Sequence, residues 1–128
     1  MAGNLTLTPF SATLIRDTDY FDKMDPYVVL KLGASIWKSP ICHGGGKNPA
    51  WTGASTSFKR TNEDLLTIEL WDKDNASNDD MIAQGTFLVN KVEKVGTLSE
   101  WVPLTHKGKD AGKILLKIDF FADGGAIG

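Results

Sequence analysis

At 128 residues, 41% apolar and 23% charged, the chain fits one domain with a core large enough to stand without metal or disulfide staples. A formal net charge of −2 excludes an overall basic footprint for nucleic acid, so any attraction to phosphate must be local or created by a bound ion. The single cysteine, Cys42, excludes an internal disulfide and suits a reducing compartment. The first residues lack a basic region and an apolar run, and nothing nears the roughly 18 apolar residues of a membrane helix, so a soluble cytosolic monomer is expected.

Leu5, Leu7 and Pro9 alternate with threonines before the spacing changes at Ala12 and Ile15, which predicts a first strand bulged near Pro9. Residues 17–25 have no helical period and hold four aspartates around Tyr20, Phe21 and Met24, a loop pattern. Val28, Leu30 and Leu32 form the inward face of a second strand that Gly33 ends. A short strand over residues 36–38 leads into the glycine-rich connection 43–49, after which Trp51 is expected to anchor the chain to the core. Residues 65–70 alternate so that Leu66, Ile68 and Leu70 share a face, and short strands follow at 86–89 and 100–104. The last strand is the clearest, with Ile114, Leu116, Ile118 and Phe120 on one side. Only residues 92–98 and 62–64 could host a helical turn. The pattern predicts an all-β antiparallel sandwich over 1–122, followed by a flexible glycine-rich tail, 123–128.

Residues 71–80 crowd four carboxylates into ten positions. Like charges this close protonate, stay mobile, or hold a hard cation on oxygen ligands. Strand parity carries the face of Leu70 on to Asp72 and Asp74, with the Lys73 side chain turned away. Taken alone, the stretch fits a solvated acidic turn better than a metal loop.

Several familiar motifs fail on inspection. Asp72-Lys73-Asp74 opens like an EF-hand, but Ala76, Ser77 and Ala83 stand where a third oxygen ligand, a glycine and a bidentate glutamate are needed. Gly44-Gly45-Gly46-Lys47 lacks the first glycine and the Ser/Thr of a phosphate-binding loop. His43 and His106 have no partner at zinc spacing, and no nucleophile set stands out, so no catalysis is expected.

The two acidic loops belong together, since loops at one end of a sandwich lie side by side. Asp25-Pro26-Tyr27-Val28 after Asp19, then Trp71-Asp72-x-Asp74-x5-Asp80, with Asn48-Pro49-Ala50-Trp51 between them, resembles the C2 domain, a family of calcium-dependent membrane-binding β-sandwiches. The resemblance covers nearly the whole chain. It implies an eight-stranded sandwich of the circularly permuted type II form, with both chain ends away from the calcium loops. It also implies that Asp19, Asp25, Asp72, Asp74 and Asp80 hold two or three calcium ions. Thr18, Lys73 and Asn78 match positions that supply backbone carbonyls, and Ser77 one that supplies a hydroxyl. Thr52-Gly53 and Ala83 depart from the family pattern without touching these positions.

The chemistry follows from charge. Five aspartates sum to −5, and two calcium ions would bring the apex to −1, leaving open coordination positions for the phosphate oxygens of acidic phospholipids. Tyr20, Phe21 and Met24 are expected at the tip for insertion, with Lys47 at the same end. Burial of one such side chain is worth roughly 1.5–3 kcal/mol, enough to assist docking but not to anchor. Lys31, Lys38, Lys59 and Arg60 form a candidate second anionic-lipid patch. The function implied is reversible calcium-triggered movement from cytoplasm to membrane. A calcium-independent protein-interaction scaffold is the alternative.

Overall fold

A computed structural model describes residues 2–18 and 22–123. Eight strands run in chain order: β1 (Gly3–Leu14), β2 (Pro26–Leu32), β3 (Ser35–Lys38), β4 (Thr56–Arg60), β5 (Leu65–Asp72), β6 (Asp80–Leu88), β7 (Thr97–His106) and β8 (Lys109–Ala122). Hydrogen bonding links them antiparallel in the order β3-β2-β5-β6-β7-β8-β1-β4. Between β6 and β7 the register is a single pair, Gln84 with Thr105, so the strands divide into two four-stranded layers joined at one corner. The core lies between the layers.

Alternation decides which side chains fill it. Leu5 and Leu7 of β1, Val28, Leu30 and Leu32 of β2, Leu66, Ile68 and Leu70 of β5, and Ile114, Leu116, Ile118 and Phe120 of β8 are all buried, as their period of two requires. The register of β1 against β8 shifts between Pro9 and Ser11, which is the expected bulge. Trp51 is buried, and its indole N–H donates to the Pro26 carbonyl at 3.1 Å. β6 begins at Asp80, β7 runs from Thr97 to His106 and β8 from Lys109 to Ala122, all longer than expected, and β4 is a strand that the sequence pattern did not predict. The helical turn falls at Val89–Val92, and residues 62–64 form none.

Gly3 pairs with both Arg60 and Ala122, and the Asp123 N–H donates to the Ala2 carbonyl at 3.0 Å. These residues therefore lie at the end opposite the β1–β2, β3–β4 and β5–β6 connections. Asp123 is tied further by Lys59 at 2.5 Å, so the expected loose tail does not begin there, and residues 124–128 lie outside the described residues. At this end Arg60 is only 1% exposed. Its Nε donates to the Glu63 carbonyl at 2.8 Å, its Nη groups engage Asp64 and Glu93, and its guanidinium lies 5.7 Å from the Phe120 ring centre. Arg60 is thus removed from the candidate lipid patch: strand parity turns it inward as a staple.

Replacing Arg60 by methionine should cost about 2–4 kcal/mol in urea unfolding, from lost packing and an orphaned carbonyl. The hydrogen bond from Arg60, then its charge, holds the Glu93 carboxyl below its usual range. Because the folded value is the lower one, the stabilisation is complete above the ordinary glutamate pKa of about 4.3 and is lost as pH falls through the folded value. The variant should therefore show a shallower loss of stability on acidification, checked by thermal melts from neutral pH to pH 3.

Candidate cation and membrane site

Three strand ends assemble the centre of the site. Asp72, the last residue of β5, pairs with Pro26 at the start of β2 on one side and with Asp80 at the start of β6 on the other. The Asp72 carboxylate is 5% exposed, and Oδ1 accepts the Asp25 N–H at 2.8 Å while Oδ2 accepts the Thr18 hydroxyl at 2.8 Å. One carboxylate therefore ties the first acidic loop to the second. The Lys73 N–H returns the link by donating to the Asp25 carbonyl at 3.1 Å.

The glycine-rich connection closes over the same end. Gly44, at φ +69°, turns its N–H onto Asp25 Oδ1 at 2.7 Å, a left-handed conformation that favours glycine. Gly46 donates to the Met24 carbonyl, Cys42 to the Pro26 carbonyl, and Leu14 to the Lys47 carbonyl. Lys47 is exposed at this end. Met24 is not: it is 0% exposed, packed in the core, and its sulfur accepts the Thr18 N–H at 3.4 Å. Its expected place at the membrane face is corrected, because the chain must re-enter the sandwich just before Pro26 and takes its apolar residue inside.

The second loop folds on its own carboxylates. Asp74 Oδ1 accepts the N–H groups of Ala76 and Ser77, and Oδ2 accepts the Ser77 hydroxyl at 2.8 Å. These bonds hold the Asp74 carboxyl below the usual carboxylate range, the Ala76 N–H most of all. Ser77 also points its hydroxyl at the Asn78 carbonyl, 3.5 Å away, and Asn78 is exposed. The Lys73 side chain turns away from buried Asp72 to the open face shared by Glu69 and Trp71, where its ammonium lies 3.7 Å from Asp79.

Asp79 and Tyr27 are the residues that sequence reasoning missed. Asp79 Oδ1 accepts the Asp74 N–H at 3.0 Å and Oδ2 accepts the Tyr27 hydroxyl at 2.6 Å. The Asp74 N–H, then the Tyr27 hydroxyl, lower the Asp79 pKa, while burial first and then the bond to Asp79 push the phenol up to about 12. The pair braces the acidic loop against β2. The adjacent Asp79-Asp80 was a usable signal, since neighbouring residues at a strand start face opposite ways.

The second patch divides. Lys31 and Lys38 line an open concavity of about 620 Å³ with Tyr27, Trp71 and Lys73, while Lys31 also pairs with Glu69 at 3.2 Å. Lys59 lies on β4, in the other four-stranded layer, and is engaged by Asp123. The four residues therefore form no single patch.

Asp19, Tyr20 and Phe21 lie outside the described residues. Among the described residues no three His, Cys, Asp or Glu side chains are gathered closely enough to hold a metal ion. The side chains brought together offer carboxylate and hydroxyl oxygens, which suits a hard cation in kind, while the Met24 sulfur bonded to the Thr18 N–H lies in the core. No helix among the described residues is long and apolar enough to cross a membrane.

An eight-stranded antiparallel sandwich with two acidic loops joined at one end defines a class of small β-sandwich domains. The sequence profile of the C2 domain matches residues 3–104, and the chain belongs to that family. It is 30% identical over 96 residues to elicitor-responsive protein 3 of Oryza sativa subsp. japonica, a match covering 75% of this chain and 67% of that protein. Among solved structures, a C2 domain-containing protein superposes with a TM-score of 0.83 at 26% identity, covering 99% of this chain and 94% of the other. The calcium-bound C2A and C2B domains of extended synaptotagmin 2 superpose with a TM-score of 0.77 at 25% identity, over 94% of this chain and 46% of that one.

Proposed function

We propose that this chain is a non-catalytic, calcium-dependent module that docks reversibly on anionic phospholipid membranes through its acidic apex. The observation that carries the reading is Asp72, a buried carboxylate that links both acidic loops through Thr18 and Asp25. Asp19, Asp25, Asp72, Asp74 and Asp80 would hold the ions, two or three in number, with Thr18, Lys73, Ser77 and Asn78 adding carbonyl or hydroxyl oxygens. Bound calcium would supply positive charge and coordination positions for headgroup phosphate oxygens. The chain's own part is to place the donors. Tyr27 and Asp79 brace the second loop, and the Gly44 N–H orients Asp25.

Lys47 would meet headgroups directly, and Lys31 and Lys38 would add a diffuse attraction screened by salt. Tyr20 and Phe21 would insert. In a cell the module would move from cytoplasm to membrane as calcium rises.

Sedimentation with phosphatidylserine vesicles tests the reading. The native chain should pellet in calcium and stay in the supernatant in chelator, and Asp74→Asn should lose most of the calcium-dependent fraction. Equal pelleting in both conditions would refute the proposal and leave the scaffold reading.

A further inference from the structure

The β7–β8 hairpin reaches the loop end of the molecule without belonging to either acidic loop. The Ile15 N–H donates to the Ala111 carbonyl at 3.0 Å, and Arg16 Nη2 approaches the Met81 carbonyl at 3.4 Å, one residue past Asp80. Arg16, His106, Lys107, Lys109, Asp110 and Ala111 line an open cleft of about 450 Å³ there.

Three observations bear on this cleft. First, Arg16, Lys107 and Lys109 line one cleft and form no ion pair among the described residues, as is also true of Lys23, Lys38, Lys47, Lys91, Lys94 and Lys113, none of which lines this cleft. Second, the Arg16 guanidinium is fixed beside the cleft by its Nη2 bond to the Met81 carbonyl, while its buried Nε has no partner among the described residues and faces away from solvent. Third, Lys107 sits at φ +51° and Gly108 at +79° in a two-residue turn closed by the pairing of His106 with Lys109. That turn favours asparagine or glycine at its first position. A lysine there carries the strain of a left-handed backbone, and it lines the cleft together with Lys109.

We propose that this cleft is an anion site for a terminal phosphate group, separate from the acidic apex and independent of calcium. One guanidinium and two ammonium groups lining the same cleft match the double negative charge of a phosphate monoester better than the single charge of a carboxylate. Asp110 is the opposing charge in the lining, and its Oδ1 is occupied by the Gly112 N–H at 3.1 Å. Three cations against that carboxylate leave a balance near that of a doubly ionised phosphate. Asp17, exposed and next in sequence to Arg16, is the other carboxylate nearby in the chain. Burial first, then Arg16 and Lys107, lower the His106 pKa.

The phosphate can come from a lipid headgroup or from a soluble ester, and the test separates the two. Amide NMR spectra of the full chain in chelator are recorded with inorganic phosphate, with inositol trisphosphate, and alongside sedimentation with phosphatidylcholine vesicles containing or lacking phosphatidylinositol bisphosphate. Saturable shifts at Arg16 and residues 106–110 are expected, with affinity reduced about tenfold or more in K107E/K109E. Lys107→Gly should raise the melting temperature while weakening phosphate binding, a split that a purely structural lysine would not produce. Shifts with soluble phosphates but no vesicle binding support a free ester as ligand, and charge-dependent vesicle binding supports a headgroup. Absence of saturable shifts together with vesicle binding that ignores K107E/K109E would overturn the proposal, as would shifts centred on Lys31 and Lys38. Because every arm is run without calcium, the result is independent of the apex reading.

Discussion

Asp72→Ala should abolish calcium-dependent vesicle binding and also lower stability by about 2–4 kcal/mol in chelator, because it strands the Thr18 hydroxyl and the Asp25 N–H, both partly buried. Asp72→Asn separates the two roles. The amide keeps an oxygen for the Asp25 N–H and is nearly the same size, so unfolding in chelator should shift by less than about 1 kcal/mol. The charge is gone, however, and the calcium response should go with it. Urea unfolding in chelator and vesicle sedimentation in calcium, run on both variants, read the two roles independently. If Asp72→Asn retains full calcium-dependent pelleting, Asp72 serves only the fold and the apex reading fails at its centre.

Calcium itself should raise the melting temperature of the native chain. A ligand that binds the folded state alone adds about 2.7 kcal/mol at a hundredfold excess over its Kd, which for a chain of this length is roughly 10 °C. Repulsion among the apex carboxylates should make the gain steep at low salt and smaller as salt rises, because exposed Asp80 and the loop carboxylates are screened. Magnesium should do less, since it holds its own waters and demands an octahedron. Thermal melts with calcium, magnesium and chelator decide this, and identical curves in calcium and chelator would remove the case for a resident ion. Asp25→Asn should reduce the shift even though the Gly44 N–H keeps an oxygen acceptor, because its effect runs through charge.

The contrast between Met24 and Leu70 shows where sequence reasoning worked. Leu70 lies in a regular strand whose period of two leaves one choice of face, and the structure buries it as the alternation requires. Met24 lies in an aperiodic loop, where no spacing says which apolar residue turns in; only the folded chain, which seats its sulfur under the Thr18 N–H within the core, decides it. Arg60 failed for a different reason. No alternation marked residues 56–60 as a strand, so charge alone placed Arg60 in solvent, and the partners that make burial tolerable, Asp64, Glu93 and the Glu63 carbonyl, come from a turn and a distant segment.

By itself the sequence determined the all-β class, the inward faces of four strands, the bulge at Pro9 and the two acidic loops, because each rests on local periodicity or on a run of like charges. Tertiary structure alone decided that Asp72 joins those loops, that Tyr27 braces Asp79, that the lysines of β2–β3 and β4 lie apart, and that Arg16 meets the β7–β8 turn. Those facts depend on strand order and register, and long-range pairing leaves no mark on the spacing of residues along a single chain.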